Sequence, residues 1–272
     1  MPKGDKSASL REMTFWDHLD ELRGVLFRAI AVLLVVAVAL FSFMPWIFDR
    51  VILAPCRGDF VTYKLLDALS QLCPGMMDQP LSADFHVSLI NIELASQFLI
   101  HMSASCWLAL VLSFPVILYL LWGFVSPGLY ENERHGARRA FLFGIAMFYV
   151  GVAVGYFVVF PLAVRFLSDY QLSALIPNQI SITSYMDMFN TTVLMMGLVF
   201  ELPLLAWLLG HIGLLTRGFF NRYRRHAIVA LLILAAVITP TGDPFTLFVV
   251  FLPIYVLWEL SAFLVPKKQS EA

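Results

Sequence analysis

Charge is what this sequence has least of. Only 14% of its 272 residues are Asp, Glu, Lys or Arg, against about 25% in an ordinary soluble domain, while 60% are hydrophobic. That composition sets aside the soluble readings. An excess of either sign is also missing, with 18 basic residues against 19 acidic ones, so neither a nucleic-acid binder nor an acidic disordered tail is indicated. Catalytic signatures are lacking as well. There is no Gly-x-Ser-x-Gly elbow, no His-Glu-x-x-His helix, no phosphate-binding Gly-x-x-x-x-Gly-Lys-Ser/Thr loop and no Cys-x-x-Cys pair. The 6 His are scattered and form no ligand set at metal spacing. No enzyme, cofactor or metal is therefore expected.

Long charge-free runs are what the chain does have. Asp, Glu, Lys and Arg are absent from Ala29 to Phe48, Leu94 to Tyr130 and Ala140 to Val164, and Glu201 alone interrupts Met188 to Thr216. After the cluster Arg222, Arg224, Arg225 comes the apolar run Ala227 to Thr239. The turn Pro240 to Pro244 then leads into Phe245 to Val265. A hydrocarbon core about 30 Å thick takes roughly 20 helical residues to cross, so these runs read as six spans. They are placed at about 24–44, 98–124, 140–164, 187–209, 224–239 and 245–263. The runs are continuous and long instead of alternating, which favours an all-α bundle over a β-barrel. The fifth run, at 13 residues, covers only about 20 Å, so a re-entrant hairpin competes with a full span there. Fourteen basic residues fall on one side of this arrangement and four (Arg50, Arg57, Lys64 and Arg165) on the other. Positive-inside asymmetry then puts both termini in the cytoplasm, and the first run reads as a retained anchor.

The outer loop 45–96 is the largest polar segment. Val61, Leu65, Leu69 and Leu72 recur in it at helical spacing, predicting a helix at the outer surface. It also holds Cys56 and Cys73, on the oxidising side, which leaves a disulfide or two free thiols equally open.

Few polar residues stand out against so apolar a background. A carboxylate at a helix centre costs about 2.5–3.5 kcal/mol on insertion scales, so Glu201 needs a partner or an aqueous pocket. Pro203 beside it removes a backbone donor and predicts a kink. Glu259, near the cytoplasmic end of the last run, reads as an interfacial side chain. Glu21, in His18-Leu19-Asp20-Glu21-Leu22-Arg23, and Glu133, in Tyr130-Glu131-Asn132-Glu133-Arg134, lie far apart in sequence but on one face. Alone they would read as solvated ion pairs, yet two carboxylates facing a guanidinium ligand form bidentate bonds that Lys reproduces poorly.

Five motifs, in order from about residue 14 to 265, carry a resemblance. The stretch Phe114 to Arg134, containing Phe124-Val125-Ser126-Pro127-Gly128-Leu129-Tyr130-Glu131-Asn132-Glu133-Arg134, is the longest. The others are His18 to Arg23, Phe148-Tyr149-Val150-Gly151 with Tyr156 to Leu162, Phe200-Glu201-Leu202-Pro203, and Thr239-Pro240 through Asp243-Pro244-Phe245. Together they resemble TatC, the multi-spanning subunit family of the twin-arginine protein translocase. The resemblance implies a cupped bundle of six helices, the last two short, in the bacterial inner membrane. It further implies recognition of twin-arginine signal peptides on folded cargo, with single-span TatA and TatB partners and the proton-motive force, within an oligomeric receptor complex.

Residue by residue, Glu21 and Glu133 match the family's two acidic positions for the arginine pair, and Arg23 matches the basic member of the first motif. Glu201 matches the polar position facing the hollow. Pro55 matches a proline of the first outer loop, while Pro127 and Pro203 fall within matched motifs as structural residues. Thr239, Asp243 and Thr246 match the region where a single-span partner docks. The chain departs from the family in its long cysteine-bearing outer loop, in His101 where a lysine is common, and in Leu247 where a polar residue is frequent. A proton-coupled secondary transporter using Glu201 is the competing reading, but it would be expected to show internal repeats that the two halves lack.

Overall fold

The computed structural model describes residues 15–72, 85–125, 131–173, 175–176, 178–211, 214–239 and 241–265; at 15–18, 72, 125, 131–139 and 211 only the backbone is described. Nine α-helices account for most of these residues: α1 Phe15–Ile47, α2 Val61–Leu72, α3 Ser96–Val125, α4 Glu131–Val154, α5 Phe160–Asp169, α6 Ile182–Val199, α7 Leu202–His211, α8 Arg217–Ile238 and α9 Pro244–Leu264. Two short strands, β1 Leu89–Ile90 and β2 Ile180–Ser181, pair in parallel with Leu89 opposite Ile180. The protein is thus an all-α polytopic membrane fold, with five helical runs long and apolar enough to cross a bilayer. Helix α8 is not among the five. Its charge-free end, Ala227–Ile238, covers only about 18 Å at 1.5 Å per residue.

Several helices carry on where an ordinary α-helix would stop. Helix α1 runs into a π-helical turn, Phe48–Ile52, and a 3₁₀ turn, Ala54–Cys56, whereas α4 joins α5 through a second π-helical turn, Gly155–Val159. Prolines explain much of this, because each lacks the N–H that should reach the carbonyl four residues back. The structure answers with donors from other elements. Pro45 frees the Phe41 carbonyl, which lies 2.8 Å from His101 Nε2 of α3. Pro55 has no N–H to offer Val51, and the Tyr156 hydroxyl donates to that carbonyl at 2.8 Å. Pro115 frees Val111, whose carbonyl accepts from Tyr149 at 3.3 Å. Pro161 frees Phe157, whose carbonyl accepts from Thr62 Oγ1 of α2. In hydrocarbon there is no water to take that role, so each foreign donor both repairs a helix and ties two elements together.

The end that carries α2 and the strands forms a cap. Its apolar core joins Phe60, Tyr63, Phe85 and Val87 to Phe160, Ala163, Tyr185 and Met186. Tyr63 is fully buried, with its hydroxyl 3.0 Å from the carbonyls of both Pro55 and Pro161, and Tyr185 donates to the Ile52 carbonyl at 2.6 Å. The expected helix in the outer loop is present as α2, but its apolar stripe faces outward. Val61, Leu65 and Leu69 are exposed, whereas Thr62, Tyr63 and Asp67 are buried. Orphaned carbonyls beneath α2 require hydroxyls on its inner face, which is why the ordinary amphipathic sense is reversed. Cys56 is a buried free thiol, and Cys73 lies outside the described residues.

Helices α4 and α6 pack closely through glycines. A Cβ on Gly151 would come 2.5 Å from the Met196 carbonyl oxygen, and one on Gly197 would come 2.8 Å from the Phe148 ring, so only hydrogen fits at either position.

Candidate functional site

At the end opposite the cap, the first turns of α1, the last turns of α3 and the start of α4 converge on a cleft of about 620 Å³. Glu21, Val25 and Arg28 of α1 line one wall, and Trp122 of α3 and Phe141 of α4 line the others. Glu21 is half-buried, and its Oε2 is buried with no hydrogen-bond partner among the described residues. Arg28, on the same wall, donates from Nε to the Gly24 carbonyl at 3.1 Å and forms no ion pair with Glu21 among the described residues. Helix α4 begins at Glu131, so Glu133 sits in its first turn at this same end. An acidic residue in a first helical turn is favoured by the helix dipole. Pro127, just before that helix, lies outside the described residues.

The fold does not gather every residue of the expected site. Arg23 is exposed, with its guanidinium 5.5 Å from the Phe27 ring centroid. It lies two residues beyond Glu21, on the other side of α1, and is not in the wall of the cleft. Glu201 occupies the break between α6 and α7, where Phe200 and Glu201 leave the helix and Pro203 follows in the new first turn. Its two carboxylate oxygens are buried and without a hydrogen-bond partner among the described residues. They lie against α4 where Gly144 makes room. A Cβ at that position would be 2.9 Å from Glu201 Oε2. Ile145, the next residue of α4, lines the cleft, so Glu201 is a near neighbour of the Glu21 site across one helix.

Nearer the cap, a second cavity of about 270 Å³ opens between the end of α1, α3, α4 with its π-helical turn, and α6. Its walls are apolar apart from Asn190, and they include Val51, Trp107, Tyr156 and Phe157. Both proline-repaired π-helical segments therefore face this hollow. Of the four prolines whose freed carbonyls are repaired, sequence reasoning singled out Pro55, and it did not assign Tyr149, Tyr156 or Thr62 as donors. The available signal for the two tyrosines was their place near glycines of the third run, Tyr149 two residues before Gly151 and Tyr156 next to Gly155.

The turn between α8 and α9 is built by Asp243. Its Oδ1 accepts the Thr246 N–H at 2.7 Å as the N-cap of α9, and its Oδ2 accepts from the Thr241 hydroxyl at 2.7 Å. Burial acts to raise the Asp243 pKa, but these hydrogen bonds to the carboxylate outweigh it and hold the value below the ordinary one. Gly242 adopts φ 60°, a left-handed conformation suited to glycine. Thr239 and Thr246 are buried, and Thr239 donates to the Ala235 carbonyl at 3.0 Å. The outward side chains of early α9 are instead Phe245, Phe248 and Leu252.

Comparison with known proteins settles the family. The family of the Sec-independent protein translocase protein (TatC) matches residues 17–253. The chain belongs to the TatC family. It is 31% identical over 261 residues to the TatC protein of Blattabacterium sp. subsp. Periplaneta americana, covering 95% of this chain and 98% of that one. With TatC of Helicobacter pylori strain 26695 it shares 33% identity over 246 residues, 90% of this chain and 84% of that one. A crystal structure of the twin-arginine translocase receptor TatC superposes with a TM-score of 0.70 at 27% identity, covering 91% of this chain and 97% of that one. The same receptor crystallised in DDM gives 0.72 at 26% identity.

Proposed function

We propose that this TatC-family protein is the signal-peptide receptor of a twin-arginine translocase, with the cleft between α1, α3 and α4 as its arginine-binding site. The observation that carries the reading is Glu21 Oε2, buried with no hydrogen-bond partner among the described residues, in a cleft at the same end of the molecule as the first turn of α4, to which Glu133 belongs. Two adjacent arginines bring permanently charged, fork-shaped donors. Two carboxylates satisfy them with charge-assisted bonds worth about 1.5–3 kcal/mol each. The apolar part of the signal peptide then follows the lipid-facing surface toward the hollow beside Tyr156.

In this reading the cleft faces the cytoplasm together with both termini, the cap faces outward, and α8 with α9 forms a short fifth and sixth span. The termini and the cleft then share the side richer in Arg and Lys. TatA and TatB act as single-span partners, one of them meeting the outward Phe248 and Leu252 above the Thr239–Thr246 turn. Transport is driven by the proton-motive force, and Glu201 is the polar position deepest in the bundle. Because α8 has only about 18 Å of apolar length, the bilayer would thin beside it.

The test is binding of a synthetic twin-arginine signal peptide to the purified chain, beside export of a folded reporter. Glu21→Gln with Glu133→Gln should weaken binding by about a hundredfold or more and stop export, while a peptide with both arginines changed to lysine should bind poorly to the unaltered protein. Binding undiminished in the double variant would remove the arginine-site assignment.

A further inference from the structure

Helix α8 carries Arg217, Arg222, Arg224 and Arg225 within nine residues, and the fold uses them unequally. Arg224 turns inward. Its Nη2 pairs with Glu259 of α9 at 2.8 Å and its Nε donates to the Tyr255 hydroxyl at 3.1 Å. Arg217 lies over the Phe263 ring at 4.9 Å. Arg222 and Arg225 are exposed and make no ion pair among the described residues. They lie away from the face that α8 buries through Phe220, Ala227, Leu231, Ala235 and Ile238. At 100° per residue, Arg222 and Arg225 continue the outward stripe of Val229, Ile233 and Val237, all more than half exposed.

Depth makes this juxtaposition informative. The Asp243 turn lies at the cap end, where Phe245 stacks on Phe166 of α5 at 4.3 Å. Arg224 is 14 residues back from Ile238 and Glu259 is 15 residues on from Pro244, so their pairing sits about 21–22 Å from the turn. Helix α9 continues about 8 Å beyond Glu259 with Leu260, Phe263 and Leu264 exposed. Two guanidinium groups therefore open onto lipid at a level where the neighbouring helix is still apolar. Phosphate drawn inward to them satisfies both the charge and the shortness of α8.

We infer that Arg222 and Arg225 form a binding site for the headgroup phosphate of an anionic phospholipid whose acyl chain lies along Val229, Ile233 and Val237. The occupant is a membrane lipid because the arginines end a lipid-facing apolar stripe instead of lining an aqueous pocket. Bidentate guanidinium geometry suits a phosphodiester, and a basic cluster beside the end of a span favours an anionic headgroup.

Native mass spectrometry of the full-length chain in mild detergent, titrated with phosphatidylglycerol and separately with phosphatidylcholine, tests this. Unaltered protein should retain phosphatidylglycerol in preference to phosphatidylcholine. Arg222→Gln with Arg225→Gln should weaken phosphatidylglycerol binding by about thirtyfold, while Arg222→Lys with Arg225→Lys and the cap substitution Arg57→Gln should change it only a few-fold. Retention of phosphatidylglycerol by the double Gln variant overturns the proposal. So does equal, arginine-independent binding of phosphatidylcholine, or displacement of the lipid by millimolar inorganic phosphate, which would mean a free-anion site. Should the double Gln variant fold poorly, a phosphatidylglycerol with a photoreactive headgroup applied to the unaltered chain decides the matter. Crosslinks within residues 217–229 support the site, and their absence overturns it.

Discussion

The two ends of this molecule treat their polar groups in opposite ways. At the cap, the hydroxyls of Thr62, Tyr63, Tyr156 and Tyr185 each reach a backbone carbonyl in another element. At the opposite end Glu21 Oε2 and both oxygens of Glu201 are buried without a hydrogen-bond partner among the described residues. Buried hydroxyls such as Ser113 Oγ and Thr192 Oγ1 also lack a partner among the described residues. An unpaired carboxylate costs more than an unpaired hydroxyl, so the placement of Glu21 and Glu201 away from the cap is a division of labour. Cap polarity is used within the fold, whereas these carboxylates have no hydrogen-bond partner among the described residues.

Breaking a member of each set should therefore give contrasting results. Tyr63→Ala removes a fully buried ring and a hydroxyl placed between two proline carbonyls, and we expect about 3–5 kcal/mol of destabilisation, seen as a large loss of thermal stability in detergent. Glu201→Gln, which disturbs no protein hydrogen bond among the described residues, should shift stability by less than about 1 kcal/mol. Equal losses from both would dissolve the contrast between the ends.

A smaller effect is expected where the cap end meets α9. Asp243→Ala deletes the N-cap and should cost about 1 kcal/mol of thermal stability. The Asp243 pKa is lowered in the folded protein, so the carboxylate's contribution is fully present above its unfolded value of 3.8 and is lost as pH falls through the folded value. Melting curves of the two proteins should accordingly differ at neutral pH and converge in acid below about pH 4. A gap that stayed constant through that window would show that the charge contributes nothing.

Much of this architecture was legible in the sequence because hydrocarbon imposes simple rules. The runs from Ala29, Leu94, Ala140 and Met188 fall in helices, and the break at Glu201-Leu202-Pro203 falls where a missing N–H predicts it. The isolation of Glu21 and Glu201 was also readable, since they are rare charges beside apolar runs. The orientation of α2 was not legible. Val61, Leu65 and Leu69 have the spacing of a buried stripe, but the inner face is chosen by carbonyls far away in sequence: that of Phe157, which Pro161 leaves open to Thr62, and those of Pro55 and Pro161, which meet Tyr63. Arg23 looked equivalent to Glu21 in one short motif, and helical geometry alone carried it out of the cleft wall. Periodicity reports which residues share a face, whereas tertiary hydrogen bonding decides where that face points.

The smallest effect tests the cap's chemistry most directly. If Tyr156 matters because Pro55 cannot satisfy the Val51 carbonyl, restoring an N–H at position 55 should make the hydroxyl dispensable. Tyr156→Phe alone should cost about 1 kcal/mol, but clearly less in the presence of Pro55→Ala, giving a coupling energy of about 0.6 kcal/mol in thermal unfolding. The same reasoning pairs Thr62→Val with Pro161→Ala, because Thr62 serves the carbonyl that Pro161 orphans. Crossed combinations provide the control. Tyr156→Phe with Pro161→Ala, and Thr62→Val with Pro55→Ala, join a donor to the wrong proline, and coupling there should be weaker than in the matched pairs. Uniform coupling across all four combinations would mean that general loosening of the cap, and not repair of particular carbonyls, sets its stability.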